Sequence, residues 1–195
     1  MDFLACTDIT LGILAGGRAS RLGGLDKAWL ERDGVPQVLR LMRRFASEVD
    51  AILVSANRDR SRYGDHGLTA VADDLPGAGP FGGVDALARA CRTSWLLTLP
   101  VDLIGVNECL LQTLAAETAP TGVFAVDDNG PQPLVALWRV DALREALTAA
   151  IASNDFAVHA LQERLGMARV RFAGVRFGNL NTPADLLAAG IGPAP

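Results

Sequence analysis

An apolar, β-branched-rich run over residues 9–15 stops at Gly16-Gly17 and gives way to a loop that holds four glycines before it closes on Asp26-Lys27. A run with no polar alternation has no solvent face, so it reads as a strand buried on both sides. Such a strand needs helices above and below its sheet, which excludes a helical bundle or a half-wet antiparallel sheet. The rest of the chain supplies them. Pro36 opens a helical stretch in which Val38, Leu39, Leu41, Met42 and Phe45 recur at helical spacing, with arginines on the other face. Short strands are expected at 51–55, 68–72 and 95–99, with helices at 84–92 and 107–117 and a Pro/Gly-rich loop from Pro76 to Gly83. Beyond Pro120 strands at 122–126 and 134–138 flank the turn Asp127-Asp128-Asn129-Gly130. Helices at 141–152 and 156–165, a strand at 169–172 and a last helix from Thr182 complete the pattern. The class is α/β, with a mainly parallel sheet and an antiparallel excursion in the second half.

The 195 residues suffice for one domain burying about 70% of its unfolded surface. No apolar run approaches the roughly 20 residues of a membrane helix. The first ten residues lack a basic n-region and carry Asp2 and Asp8, unlike a secretory signal. Cys6, Cys91 and Cys109 are widely spaced, which argues against a disulfide framework or metal cluster and makes a reducing cytoplasm the simplest compartment. A net charge of −4 argues against nucleic acid as the main partner. Arg40, Arg43 and Arg44, and also Arg58, Arg60 and Arg62, read as solvated surface.

In open sheets of this class ligands bind outside the carboxyl ends of the strands. The polar residues expected there are the loop of residues 16–27, Asn57, Asp74, the 76–83 loop and Asp102. Lys27 is the only lysine among 18 basic residues, the other 17 being arginines. An ammonium is a compact point charge and a guanidinium a broad fork, so the two are not interchangeable at a phosphate. A composition so rich in arginine could also leave its last lysine anywhere. The loop lacks the spacing of a P-loop, and no Ser or Thr follows Lys27. Residues 77–82 match G-x-G-x-x-G with Asp102 20 residues on, but Pro76 and Pro80 interrupt the turn a dinucleotide fold requires. What remains is a cradle of backbone N–H groups, Arg18, Arg21 and Lys27, suited to a triphosphate, or else a surface loop with glycines for turns. Asp102 reads either as a Mg²⁺ ligand facing that triphosphate or as an anion ahead of the next helix. His66 in a turn and His159 on a helix read as surface or packing residues.

The run Leu14-Ala15-Gly16-Gly17, then Ser20-Arg21-Leu22-Gly23-Gly24, then Asp26-Lys27 resembles the L-A-G-G-x-S-x-R-M-G-x-D-K signature of molybdenum cofactor guanylyltransferases. Here Ser20 directly precedes Arg21, and an extra glycine-leucine stands before Asp26. Asn57, Asp74, Gly79-Pro80-Phe81-Gly82-Gly83, Asp102, Gln132-Pro133-Leu134 and Asn179-Leu180-Asn181-Thr182-Pro183 extend the likeness in order. Related cytidylyl- and sugar nucleotidyltransferases share the outline of the first loop. The resemblance implies a three-layer Rossmann-like nucleotidyltransferase fold in one domain, with a nucleotide-binding half near residues 10–105 and an acceptor-binding half near 106–190. It implies transfer of GMP from GTP to a molybdopterin phosphate or its molybdenum form, with release of pyrophosphate. Leu14, Ala15, Gly16, Gly17, Lys27, Asn57, Asp74 and Asp102 would hold the nucleotide. Lys27, Arg21 and Asp102 would be catalytic, Asp102 would carry Mg²⁺, and Gly82, Pro133, Asn179 and Asn181 would border the acceptor. Transient contact with other cofactor-biosynthesis or acceptor proteins is implied, but neither nucleic acid nor membrane. One departure stands out: the family continues D-x-P after the aspartate, where this chain has Leu103-Ile104. Three classes remain open on residues alone: a transferase using GTP or CTP, a non-catalytic nucleotide-binding protein, and a dinucleotide-binding redox protein.

Overall fold

The computed structural model describes residues 8–16, 26–106, 108–117, 119–180 and 182–192. In chain order it begins with β1 (Ile9–Leu14), a 3₁₀ turn (Lys27–Trp29), β2 (Glu31–Arg32), β3 (Val35–Pro36) and α1 (Gln37–Phe45). There follow β4 (Ala51–Ser55), α2 (Arg60–Asp65), β5 (Thr69–Val71), α3 (Pro80–Ala90), β6 (Trp95–Pro100), β7 (Leu103–Ile104) and α4 (Leu110–Ala115). The remainder is β8 (Gly122–Asp127), β9 (Gly130–Arg139), α5 (Val140–Ala152), α6 (Val158–Arg164), β10 (Ala168–Arg171), β11 (Gly178–Asn179), α7 (Pro183–Ala188) and β12 (Ile191–Gly192).

The seven-stranded sheet runs β10-β8-β9-β6-β1-β4-β5. β1 lies parallel between β4 and β6, with Gly12 opposite Leu53 on one side and Thr98 on the other. β9 is antiparallel to both β6 and β8, because it returns from β8 through the tight Asp127–Gly130 turn. It is the antiparallel excursion expected from the sequence. β8 consequently runs with β6, and six carboxyl ends share one edge.

Alternation within the strands feeds two apolar layers. Leu11, Ile13, Leu97 and Leu99 pack with Val38, Leu41 and Phe45 of α1 and Leu110 and Leu114 of α4. On the opposite face Leu96, Phe124 and Trp138 pack with Phe81, Val84 and Leu87 of α3, Leu143 and Leu147 of α5, and Leu161 of α6. The three expected layers are therefore present. Two small sheets lie outside them: β12-β2-β3, over a cluster of Leu30, Leu180 and Ile191, and β11-β7.

α3 starts four residues before the expected 84, at Pro80, with Gly79 as its cap at φ 58 and ψ −139. Proline suits the first helical position because its missing N–H would have no partner there. Gly82 and Gly83, expected in a loop, are helical. Leu110–Ala115 is shorter than the helix expected at 107–117.

Candidate active site

Backbone hydrogen bonds alone stitch the carboxyl edge of the sheet together. Ala15 donates its N–H to the Ser55 carbonyl at 3.0 Å, and Val101 donates to the Leu14 carbonyl at 3.1 Å. The ends of β4, β1 and β6 are thus held level. A side chain built on exposed Gly16 would stand 4.0 Å from Asn57 Nδ2, which places Asn57 beside the start of the glycine-rich loop.

Lys27 returns to this edge on a short, heavily packed turn. Asp26 caps the turn by accepting the Ala28 N–H at 3.0 Å, and Ala28 and Trp29 are buried beneath it. The Trp29 ring lies 5.0 Å from that of Tyr63, with the Arg62 guanidinium 4.0 Å above it. Burial pushes the Asp26 carboxyl above its ordinary range, against the pull of the Ala28 N–H and Arg62. Burial also raises the Tyr63 phenol, with neighbouring Asp26 adding to the shift. From this mount Lys27 Nζ donates to Asp102 Oδ2 at 2.7 Å, with the two side chains 21% and 16% exposed. Residues 75 apart in sequence thereby form a half-buried charge pair just past the end of β6.

Asp102 is fixed from its other side. Its carbonyl accepts the Leu180 N–H at 3.2 Å, and β7 pairs antiparallel with β11, Asn179 opposite Leu103 and Gly178 opposite Ile104. Where the family pattern would place a proline, Ile104 packs on a glycine: a side chain at Gly178 would come within 2.6 Å of Ile104 Cγ1. The turn after Asp102 is held by strand pairing in place of proline rigidity.

Asn57 Oδ1 accepts the Asp73 N–H at 2.8 Å, while Asp73 Oδ1 accepts that of Leu75 at 2.8 Å. The Asp73 carboxylate presses on α3 so closely that a methyl group at Gly82 would lie 2.2 Å from Oδ1. Asp73, not the expected Asp74, is the aspartate that meets Asn57 and Gly82. Exposed Asp74 lines an open cleft of about 250 Å³ with Ala72, Asp85, Ala86, Arg89 and Ala90. Burial raises the Asp85 carboxyl, and Arg89 opposes it from 2.6 Å. Gly82 joins the Asn57 and Asp73 group.

Pro133 sits where β9 leaves its ladder: Phe124 pairs with Ala136 but Ala125 with Gln132. Proline is tolerated at such a bulge because no ladder donor is lost. The Pro133 carbonyl accepts from Gln162 Nε2 at 2.9 Å, and the Leu134 carbonyl from Thr98 Oγ1 at 2.9 Å. Asn179 is exposed on β11 beside Asp102. Gly17, Arg21 and Asn181 lie outside the described residues. His66 and His159 are exposed, as expected, the first with its ring 5.3 Å from that of Trp29. Gly77 and Gly79 have positive φ in the turn before α3, well past the end of β5 at Val71, so the G-x-G-x-x-G match lacks its strand.

Among the described residues no group of three or more His, Cys, Asp and Glu could hold a metal ion. A single carboxylate at the strand edge still suits Mg²⁺, which takes one or two carboxylates and fills its octahedron with phosphate oxygens and water. No helix among the described residues is long and apolar enough to cross a membrane.

Residues 11–167 match the family model described as a MobA-like NTP transferase domain. The molybdenum cofactor guanylyltransferase of Polynucleobacter asymbioticus is 34% identical over 189 residues, covering 92% of this chain and 94% of its own. That of Yersinia pseudotuberculosis is 32% identical over 182 residues, covering 91% and 93%. Among solved structures, the molybdopterin-guanine dinucleotide biosynthesis protein A of Archaeoglobus fulgidus superposes with a TM-score of 0.70 at 20% identity, over 93% of this chain and 96% of its own. The inositol-1-phosphate CTP transferase of T. maritima gives 0.70 at 14% identity, over 91% of each. At these identities the structural likeness is one of fold.

Proposed function

Since this chain belongs to the MobA-like NTP transferase family, alongside the molybdenum cofactor guanylyltransferases, we propose that it transfers GMP from GTP to the terminal phosphate of molybdopterin or its molybdenum form. The chain is a nucleotidyltransferase, and the observation that carries the finer reading is the 2.7 Å Lys27–Asp102 pair at the ends of β1's loop and β6. A phosphate monoester is largely ionised at neutral pH, its second pKa being about 6, so the acceptor oxygen needs no general base. That oxygen forms a bond to the α-phosphorus while the bond to the bridging β-phosphate oxygen breaks, and the electron pair leaves with pyrophosphate. The protein must align two anions and neutralise them. Lys27 supplies a fixed positive charge for the phosphates, and Gly16 leaves room for their close approach. Gly17 and Arg21 belong to the same cradle. Asn57 and Asp74 hold the nucleoside side, while Gly82, Pro133, Asn179 and Asn181 border the acceptor. Asp102 is the residue that would hold Mg²⁺, which supplies charge neutralisation to the triphosphate.

On this reading the halves near residues 10–105 and 106–190 bind nucleotide and acceptor within one domain. The setting is the cytoplasm, where thiols such as buried Cys91 stay reduced. Other proteins that make or receive the cofactor are its transient partners. The test compares thermal stabilisation by GTP, CTP and ATP with Mg²⁺, then pyrophosphate release with and without molybdopterin. GTP alone should stabilise the protein, and pyrophosphate should appear only with the acceptor. Preference for CTP would move the activity to cytidylyl transfer, and GTP binding without turnover would make the protein a nucleotide binder.

A further inference from the structure

Asp127 is completely buried at the carboxyl end of β8. Its Oδ2 accepts the Phe177 N–H at 2.7 Å and its Oδ1 the Asn129 N–H at 2.8 Å. Burial works against its charge, but the Phe177, Asn129 and Gly130 N–H groups and the Gln132 side chain outweigh it and hold the carboxyl below its ordinary range. Asp128 extends the grip: its N–H donates to the Val175 carbonyl at 3.0 Å, and its Oδ1 accepts from Arg171 at 2.9 Å. The Asp127–Asp128 turn therefore clasps the segment 171–177 at several points.

The residues that follow the clasp are the ones that brace Asp102. Phe177 leads directly into β11, which pairs with β7, and Leu180 donates to the Asp102 carbonyl. A continuous chain of bonds runs from Asp127 through the Phe177 N–H and β11 to the backbone that carries Asp102. Asp127 also draws in Gln132, at the start of the bulge that holds Pro133.

We propose that Asp127 is a positioning residue for the transfer, locking β11 onto the Asp102 loop and so fixing the acceptor side of the site relative to the Lys27–Asp102 pair. The proposal rests on the guanylyl-transfer reading for its kinetic consequence, but its structural consequence is read without turnover. A carboxylate is needed because its targets are N–H groups, and charge-assisted hydrogen bonds of this kind are about twice as strong as neutral ones. An amide of the same shape turns an NH₂ group toward one of those donors.

Two variants test it: Asp127→Asn, and Gly178→Ala, which leaves Asp127 intact and pushes β11 away from Ile104. In Asp127→Asn, amide hydrogen exchange at Phe177 and Leu180 should rise at least about tenfold, ahead of exchange in β1. The acceptor KM should rise at least about fivefold and by clearly more than the GTP KM, and Gly178→Ala should show the same split. The double variant should be no worse than the poorer single one. Unchanged exchange at Leu180 in folded Asp127→Asn overturns the proposal, as does a parallel rise in both KM values. If Asp127→Asn does not fold, Gly178→Ala decides alone: an acceptor KM equal to wild type removes β11 as the link. Wild-type protein that turns over no acceptor sinks the transferase reading, while the exchange result still stands or falls separately.

Discussion

Lys27 reaches Asp102 from a turn immobilised by its own neighbours: Asp26 caps it, Ala28 and Trp29 anchor it, and the Arg62–Trp29 stack lies beneath. Little side-chain freedom is then left in the placement of the ammonium. Arginine is longer, spreads its charge over a plane and prefers two-pronged contacts, so it cannot occupy the same point. Lys27→Arg should lower kcat/KM at least about tenfold, or roughly 1.4 kcal/mol, with the thermal midpoint nearly unchanged. Equal kcat/KM for the two proteins would end the phosphate-clamp role. Lys27 and Asp102 were legible in the sequence because each follows a recognisable strand, and strand ends converge in this class. Asp73 and Asp74 were not separable. They lie on an irregular stretch without periodicity, so nothing in the sequence says which carboxylate turns toward Asn57 and Gly82.

At the scale of the element, α3 shows composition misleading the eye. Residues 76–83 hold two prolines and four glycines and read as a loop, yet the second proline is the first residue of a helix. Gly82 and Gly83 are helical for reasons of space. Alanine ordinarily stabilises a helix interior over glycine by about 0.5–1 kcal/mol. At Gly82 the sign should reverse, because the new methyl group would meet the Asp73 carboxylate at 2.2 Å. Gly82→Ala should cost about 1–3 kcal/mol in denaturant unfolding. Adding Asp73→Ala should recover part of that loss. A stabilised Gly82→Ala would show that the Asp73–Gly82 contact is loose. β7 and β11 are not legible in the sequence for the opposite reason: paired strands of two residues carry no pattern, and their pairing sets Ile104 opposite Gly178, 74 residues on.

For the molecule as a whole, the layers and the antiparallel strand of the main sheet were legible because buried strands and amphipathic helices have distinct periods. The strand order was not, since it is set by which faces meet after the chain has left each strand. The same burial that builds the layers sets the pH response. Asp26 and Asp85 have raised carboxyls, so the folded state holds more protons than the unfolded one and their contribution falls as pH rises from about 4 toward neutrality. Asp127 is lowered, so its contribution is complete above about pH 4 and lost below it. Urea midpoints should therefore peak in mildly acid solution and drop on both sides. Asp85→Asn should flatten the neutral limb, and Asp127→Asn the acid limb. A wild-type midpoint still climbing between about pH 5 and about pH 7 would contradict the burial assigned to Asp26 and Asp85.

β12 adds an order of events to this architecture. Ile191 pairs with Arg32 and shares an apolar cluster with Leu30, the residue that closes the Lys27 turn. During synthesis the lysine emerges from the ribosome early, but its mount gains this packing partner only once residue 192 is free of the exit tunnel. A nascent chain can lay down its parallel strands as they appear. The mount of Lys27 is finished by a segment made more than 160 residues later.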